Sequence, residues 1–171
     1  MRIPIFALLL VSLAVPVLAQ ASKSYDSAPY GFRLQYPGDW EVAESRSSAF
    51  VRFYTPADAD PSGPLKESID VEVGTVSDNM SMDMFSYSQK YQVEQQYPGM
   101  ALKQSKPSRL GRLDAHRFEF QGSHQGRAMT LIMVFAISGK QSYCLTYLAE
   151  SAEYKRHTSL FDNVARSFVA R

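Results

Sequence analysis

Cysteine is nearly absent from this chain of 171 residues, because Cys144 is the only one. A lone cysteine cannot form a disulfide within the chain, so a folded domain must be stabilised by its core rather than by covalent cross-links. Cys144 lies in the alternating segment QSYCLTYLAE. We therefore expect a buried and unreactive thiol, with a reactive or intermolecular cysteine as the alternative.

Short catalytic and metal-binding motifs are also absent. The sequence contains no G-x-S-x-G, P-loop, G-x-G-x-x-G, H-x-H or H-E-x-x-H segment. Acidic residues are plentiful, but no motif places two of them at a common site. No nucleophile, base and stabilising group can be named together. We therefore predict no catalytic residues and no enzymatic activity, with an unrecognised hydrolase as the alternative.

An excess of charge of either sign is missing as well. The chain has 18 basic and 17 acidic residues. Binding to a nucleic acid depends on a basic surface, so this balance argues against a nucleic-acid partner. Aromatic residues make up 12% of the chain. That content favours a packed globule over a disordered chain.

The first residues, MRIPIFALLLVSLAVPVLAQA, have one basic residue followed by an apolar run and then small residues. This pattern predicts a secretory signal peptide at 1–19, with cleavage after Ala19, or alternatively after Ala21. We then expect a short polar lead at 20–28 and a single domain at 29–171. The mature protein would be periplasmic or secreted and would have no stable membrane anchor once the leader is cleaved.

Alternation of apolar and polar residues predicts a series of strands. Phe32, Leu34 and Tyr36 alternate with polar residues, and Pro37-Gly38-Asp39 then forms a turn before Trp40. Further strands are predicted at 49–54, 69–75, 101–110, 113–121, 127–138 and 141–149. Short turns separate the last four of these, which indicates an antiparallel meander. The run at 127–138 is apolar at both odd and even positions, so that strand must be covered on both faces.

Two segments have helical periodicity instead. Met84, Tyr87 and Tyr91 follow helical spacing between 81 and 97, where Ser81 or Asp83 could cap the helix. A second amphipathic segment spans 153–169. The sequence therefore predicts an α+β fold, in which a central antiparallel sheet of about six or seven strands is sandwiched between helices.

The order of these pieces resembles the PsbP-like family, whose fold is shared with the Ran-binding Mog proteins and the bacterial envelope protein DcrB. The resemblance spans the predicted mature chain. It rests on Gly31-Phe32, Tyr36-Pro37 and Trp40, on Gly111 and Ala115 before Phe118 and Phe120, and on Tyr143 to Tyr147 before the segment from Phe161 to Phe168.

The resemblance implies a central antiparallel sheet between helical layers. The founding member of the family is a lumenal accessory of photosystem II that affects calcium and chloride retention, whereas many bacterial relatives belong to no photosystem. This chain lacks the lipoprotein cysteine of the cyanobacterial relatives and the long amino-terminal arm of the plant proteins. The resemblance therefore favours an envelope protein of a non-photosynthetic bacterium over a photosystem II accessory.

Metal binding is an alternative, although no cofactor is indicated directly. The loop Asp58-Ala59-Asp60-Pro61-Ser62-Gly63 resembles the start of an EF-hand, but Ile69 occupies the position that requires a bidentate acid. His116 shares a strand face with Phe118 and Phe120, and His124 is expected at the tip of a hairpin. A divalent metal could bind through His116 or His124 with a nearby acid, while His157 is distant on the final helix.

The sequence does not identify the residues that bind a partner. We predict an exported, non-enzymatic accessory or binding protein of the bacterial envelope that acts through contact with another envelope protein. A metal-ion or small-ligand binding protein is the alternative. Exposed aromatic and arginine side chains suit protein interfaces, and the surface residues of this kind are Tyr30, Arg33, Arg52, Arg109, Arg112 and Arg127.

Overall fold

A computed structural model describes residues 21–45, 49–56 and 67–171, with side chains at all of these positions except 155–157. The leader at 1–19, the loop at 58–63 and the His157 side chain lie outside the described residues. The described elements are, in chain order, β1 (Ser22–Ser27), β2 (Phe32–Pro37), β3 (Glu41–Glu44), β4 (Phe50–Tyr54), β5 (Glu67–Thr75), α1 (Met82–Gln96), β6 (Met100–Leu110), β7 (Leu113–His124), β8 (Arg127–Ser138), β9 (Gln141–Glu150), α2 (Ser151–Ser167) and β10 (Val169–Ala170).

The central sheet has seven antiparallel strands in the order β3-β4-β5-β9-β8-β7-β6. The α+β class and the antiparallel meander predicted from the sequence are confirmed. Glycines at positive φ, Gly111 at 57° and Gly139 at 60°, form the tight turns of the β6–β7 and β8–β9 hairpins. Such turns return the chain directly along its neighbour, which is why strands β6 to β9 are adjacent in space.

Strand β6 lies at one edge of the central sheet. Its pairing with β7 is interrupted by a register shift between Leu102 and Gln104. Pro107 has no backbone N–H, and Lys103 and Lys106 are exposed. A bulge, a proline and lysines are the usual means by which an edge strand is kept from pairing with another chain.

Two hydrophobic clusters lie on opposite faces of the central sheet. Strand β8 contributes to both, because Ile132 and Val134 belong to one cluster and Leu131 and Met133 belong to the other. The prediction that this strand is buried on both faces is confirmed. Both faces of the sheet must therefore be covered, and different elements cover the two faces.

A second sheet of three strands, in the order β1-β2-β10, covers one face together with α2. Phe32 and Leu34 are completely buried, and the Phe32 ring stacks on Phe168 at 5.6 Å between centroids. The sequence pattern predicted a single sheet, and this was wrong for the strand that carries Phe32 and Leu34, since β2 belongs to the smaller sheet. The polar segment Ser22–Ser27 forms a strand by pairing with β2 along its length.

The turn between β6 and β7 is attached to the end of α2. The Gly111 N–H donates to the Ala165 carbonyl at 2.8 Å. A Cβ at Gly111 would overlap the carbonyl oxygen of Phe168 and lie 2.9 Å from its carbonyl carbon. Only glycine combines this left-handed backbone with so close an approach. The contact fixes α2 over the β6–β8 part of the sheet.

Helix α1 covers the other face only in part. Within the described residues, the cluster between α1 and the sheet draws on β6, β7, β8 and β9 but includes no residue of β3, β4 or β5. The predicted sandwich is therefore present in part, because no helix in the described part of the chain packs on the β3–β5 half of this face. None of the described helices is both long and apolar enough to cross a membrane.

Candidate functional site

Helix α1 has well-defined ends. The Ser81 hydroxyl accepts a hydrogen bond from the Met84 N–H at 3.2 Å, which identifies Ser81 as the N-cap. Asp83 lies in the first turn, where a carboxylate complements the positive end of the helix dipole. At the other end the Tyr97 N–H donates to the Val93 carbonyl at 2.8 Å. The helix is therefore a rigid element, and its side chains have fixed directions.

The packed face of α1 is narrow. Among its residues only Phe85 and Val93 are buried, and the Phe85 ring meets Phe135 of the sheet edge-on at 5.6 Å. Two large apolar side chains, eight positions apart, attach the helix to the sheet. Met82 is partly buried against the same cluster, and the other apolar residues of the helix are exposed.

Met84, Tyr87 and Tyr91 lie on the outer face of α1. Their exposed fractions are 60%, 75% and 56%. The spacing of these three residues correctly predicts a helix, but they do not form the face that packs on the sheet. We call them the α1 stripe. Large apolar side chains at positions i, i+3 and i+7 form a continuous ridge on a helix, and such a ridge suits a helix that binds in a groove.

The surroundings of the α1 stripe carry little charge. Lys90 and Glu94 are paired at 3.5 Å between Nζ and Oε1, one turn apart. Asp83 is the other charged residue of the helix. Glutamine and serine occupy most of the remaining outer positions. The α1 stripe is therefore part of an apolar and mostly uncharged surface.

An ion pair lies on the half of the same sheet face that α1 leaves uncovered. Both Nε and Nη2 of Arg52 donate to the Asp70 carboxylate at 2.8 Å. Burial raises the pKa of Asp70 above its ordinary value, because desolvation outweighs the opposing effect of Arg52. The guanidinium also lies 5.3 Å from the centre of the Phe50 ring. Each charge has its partner, so this pair anchors β4 to β5 rather than awaiting a ligand.

Tyr97 and His124 border this area, with ring centroids 4.8 Å apart. Burial raises the pKa of Tyr97, and the negative charge of Asp70 raises it further. His124 is the last residue of β7 and precedes the turn at Gln125 and Gly126, where φ is positive. The predicted position of His124 at a hairpin tip is confirmed.

His116 lies at the margin of the core, as predicted, with its ring 5.2 Å from Phe118. Its Nε2 is hydrogen-bonded to the Ser105 hydroxyl at 2.8 Å. Burial lowers the pKa of His116, although the charge of Asp83 opposes this shift. A serine beside an imidazole is part of a hydrolase arrangement. Within the described residues, however, no carboxylate is hydrogen-bonded to the ring to orient it.

The two histidines named as possible metal ligands are not brought together. His116 and His124 are eight positions apart on β7, which corresponds to about 26 Å along a strand. Among the described side chains, no group of three or more His, Cys, Asp or Glu residues could hold a metal ion. Metal binding at His116 or at His124 stays a prediction.

Solved structures share this fold. CyanoP, the PsbP of the cyanobacterium Synechocystis sp. PCC 6803, is 15% identical with a TM-score of 0.70, and the match covers 95% of this chain and 99% of that one. The chain has the PsbP-like fold. No family model and no curated protein matches it in sequence.

Two other proteins with the PsbP-like fold come from different organisms. LpqN of Mycobacterium tuberculosis, involved in cell envelope biogenesis, is 15% identical with a TM-score of 0.66, covering 87% of this chain and 90% of that one. The Ran-binding protein Mog1p of Saccharomyces cerevisiae is 9% identical with a TM-score of 0.60, covering 89% and 96%. Identities this low show the fold, and the sites must be judged on this chain's own residues.

Within the PsbP-like fold, several arginines considered for a partner surface already have partners. Arg52 pairs with Asp70, Arg127 pairs with Glu150, and Arg109 lies 2.9 Å from Asp114. Tyr30 is half-buried, whereas Arg33 on β2 and Arg112 in the β6–β7 turn are exposed. Arg109 also donates to the Arg112 carbonyl at 3.3 Å. Sequence reasoning used the residues of the α1 stripe only to identify a helix, and their missing packing partners could not be seen in the sequence.

Cys144 matches the expectation for a structural thiol. It is a free, buried cysteine on β9. Burial raises its pKa to about 12, although a hydrogen bond with Thr146 acts in the opposite direction. The thiolate is the nucleophilic form of cysteine, so this residue is inert in the folded protein.

Proposed function

We propose that this protein is an exported, non-enzymatic binding protein of the bacterial cell envelope, and that it contacts another protein through the α1 stripe. The observation that carries the proposal is the exposure of Met84, Tyr87 and Tyr91 on a helix that is attached by its opposite face. These side chains contribute little to stability where they are. Tyrosine and methionine are enriched at protein interfaces, where burial of their apolar surface drives association.

The comparisons support a binding role in general terms. Mog1p, a Ran-binding protein, shows that this fold is used for protein binding, and LpqN shows that it occurs in a protein involved in envelope biogenesis. The predicted leader at 1–19 supports export. The partner we expect presents an apolar, uncharged groove, since Lys90 and Glu94 neutralise one another beside the α1 stripe.

Photocrosslinking from the α1 stripe tests this proposal. A photoreactive phenylalanine at position 87 should capture a specific envelope protein, which is then identified and purified. Direct titration should show that Tyr87→Ala/Tyr91→Ala weakens its binding at least about tenfold, because two aromatic anchors are removed. Val169→Ala, which alters an apolar residue on β10 that is also exposed, is the matched control.

Stability measurements separate a lost interface from a lost fold. The double variant should unfold within about 0.5 kcal/mol of the parent, because both tyrosines are exposed. By contrast, Phe85→Ala should cost about 3 kcal/mol, since Phe85 is buried against the sheet. If the purified partner binds the double variant as tightly as the parent protein, the proposed interface is wrong.

A further inference from the structure

A cleft of about 330 Å³ opens on the side of the central sheet opposite α1. Strands β6 and β7 form one wall, and the last turns of α2 form the other. Most of the polar side chains around it are cationic. The polar lining consists of Lys106, Ser108, Arg109, Arg117, Asp162 and Arg166.

The register of the sheet brings the first two cations together. Lys106 and Arg117 are directly paired positions of β6 and β7 and therefore share a face. Like charges placed directly opposite each other destabilise a sheet. The cost is reduced when an anion lies between them, and Asp162 supplies one on the side of Arg117.

Arg117 is the most buried of these cations, since 11% of its side chain is exposed. Its Nη1 donates to the Asp162 carboxylate at 2.8 Å, and the guanidinium lies 5.6 Å from the centre of the Phe161 ring. Its Nε–H is buried and has no hydrogen-bond acceptor among the described residues. A buried donor that lacks an acceptor is costly, and the residue that carries it lines the cleft.

Two positive charges remain after the ion pairs are assigned. Arg117 is paired with Asp162, and Arg109 is paired with Asp114. Lys106 and Arg166 form no ion pair with any carboxylate in the described part of the chain. Arg166 instead donates to the Asp162 carbonyl at 3.2 Å and to the Asn163 side chain at 2.6 Å.

The carboxyl end of α2 opposes anion binding, because carbonyl oxygens there carry partial negative charge. Several of these oxygens are already engaged. The Ala165 carbonyl accepts from the N–H groups of Gly111 and Phe168 at 2.8 Å and 3.4 Å, and the Asp162 carbonyl accepts from Arg166. Full positive charges on Lys106 and Arg166 outweigh the residual field of a helix end, which is equivalent to about half a charge.

We propose that this cleft is a binding site for a phosphate monoester. A dianion matches the two uncompensated cations, and its tetrahedral oxygens can accept from the side chains of Lys106, Arg117 and Arg166, which line the cleft together. Arginine is suited to phosphate because its planar group presents several N–H donors. The volume leaves room for a small organic group beyond the phosphate. The site is on the opposite face from the α1 stripe and does not depend on the function proposed for it.

Calorimetric titration with phenyl phosphate at low salt and neutral pH tests the proposal. Lys106→Gln and Arg166→Gln should each weaken binding about tenfold or more, since each removes a charge-assisted hydrogen bond. Lys103→Gln is the matched control, because Lys103 is an exposed lysine on the same strand outside the cleft. The nitrogen–proton NMR signal of the Arg117 Nε–H should shift in proportion to the bound fraction.

Inorganic phosphate, a phosphoserine peptide and succinate complete the comparison. Binding of the peptide more tightly than phenyl phosphate assigns the site to protein-borne phosphate, and the reverse order assigns it to a small molecule. If inorganic phosphate binds as tightly as phenyl phosphate, the ligand is free phosphate. Each of these three results supports a phosphate site. The proposal is overturned if phenyl phosphate does not bind, if succinate binds more tightly than every phosphate, or if Lys103→Gln weakens binding as much as Lys106→Gln.

Discussion

Replacing Gly111 by alanine should destabilise the protein far more than the same change at Gly139. Both glycines lie in hairpin turns with nearly equal positive φ, 57° and 60°. A Cβ at Gly139 meets no atom within 4 Å, whereas one at Gly111 would overlap the Phe168 carbonyl oxygen. The two glycines therefore have the same backbone conformation, and they differ in that only Gly111 contacts the end of α2.

The expected magnitudes follow from this comparison. The left-handed conformation costs alanine about 1 kcal/mol at either position. At Gly111 the overlap adds about 1–3 kcal/mol of overpacking, and loss of the N–H contact with Ala165 adds about 1 kcal/mol. Gly111→Ala should therefore cost about 3–5 kcal/mol. For a domain of this size, each kcal/mol lowers Tm by about 2–4 °C.

Thermal and urea unfolding, followed by circular dichroism, measure the difference. We expect Gly139→Ala to lower Tm by about 2–4 °C and Gly111→Ala to lower it by about 6–20 °C. If the Gly111 variant is too unstable to purify while the Gly139 variant is well behaved, the ranking stands. Equal decreases in Tm would refute the claim that Gly111 fixes α2 to the β6–β7 turn.

Two further predictions concern polar pairs. Arg52→Met should destabilise the fold by about 1–2 kcal/mol at neutral pH, because the Asp70 carboxylate loses its partner. The pKa of Asp70 in the folded protein is already above 3.8, and it rises further in the variant. The variant therefore loses stability as the pH rises through the folded pKa of Asp70, and its difference in stability from the parent protein becomes smaller in acid. A fluorophosphonate probe should leave Ser105 unlabelled, because no described carboxylate orients the His116 ring by a hydrogen bond.

Each of these predictions has a result that contradicts it. Urea titrations that give the same deficit for Arg52→Met at pH values near 4 and near 7 would show that Asp70 does not carry the effect. The double variant Arg52→Met/Asp70→Asn is the control and should depend less on pH. Probe labelling that disappears in Ser105→Ala would contradict the non-enzymatic proposal.

The central sheet was predictable because its signals are local. The run from Met129 to Ile137 is apolar at both odd and even positions, and glycines mark the turns between the strands from β6 to β9. Such patterns depend on neighbours within a few residues, which a sequence displays directly. Strand β1 was not predictable in the same way. Its polar residues form a strand because β2 offers free backbone groups to pair with.

Which face of α1 packs on the sheet could be determined only from the tertiary structure. Helical spacing identified the element through Met84, Tyr87 and Tyr91, but two other residues, Phe85 and Val93, attach it to the sheet. Periodicity alone cannot distinguish a face that packs internally from one that is exposed, since both are apolar. For the same reason, a sequence pattern that appears to describe a core can describe a surface.

The cationic cleft depends on elements distant in sequence. Arg109 was among the surface arginines considered, whereas Lys106, Arg117 and Arg166 were not considered for a site. Lys106 and Arg117 meet through strand register, and the bulge after Leu102 alters that register. Arg166 arrives from α2, whose position is fixed by packing. The strand register, the bulge and the position of α2 cannot be read from any short sequence motif.

The stacked rings of Phe32 and Phe168 have a consequence for the order of folding. Strand β2 is placed between β1 and β10, so its pairing joins the two extremes of the described chain. Closing a loop of that length costs about 4 kcal/mol of chain entropy, whereas each hairpin from β6 to β9 closes at a much smaller cost. We therefore expect the meander to form before the small sheet, and we expect this late closure to limit the rate of folding.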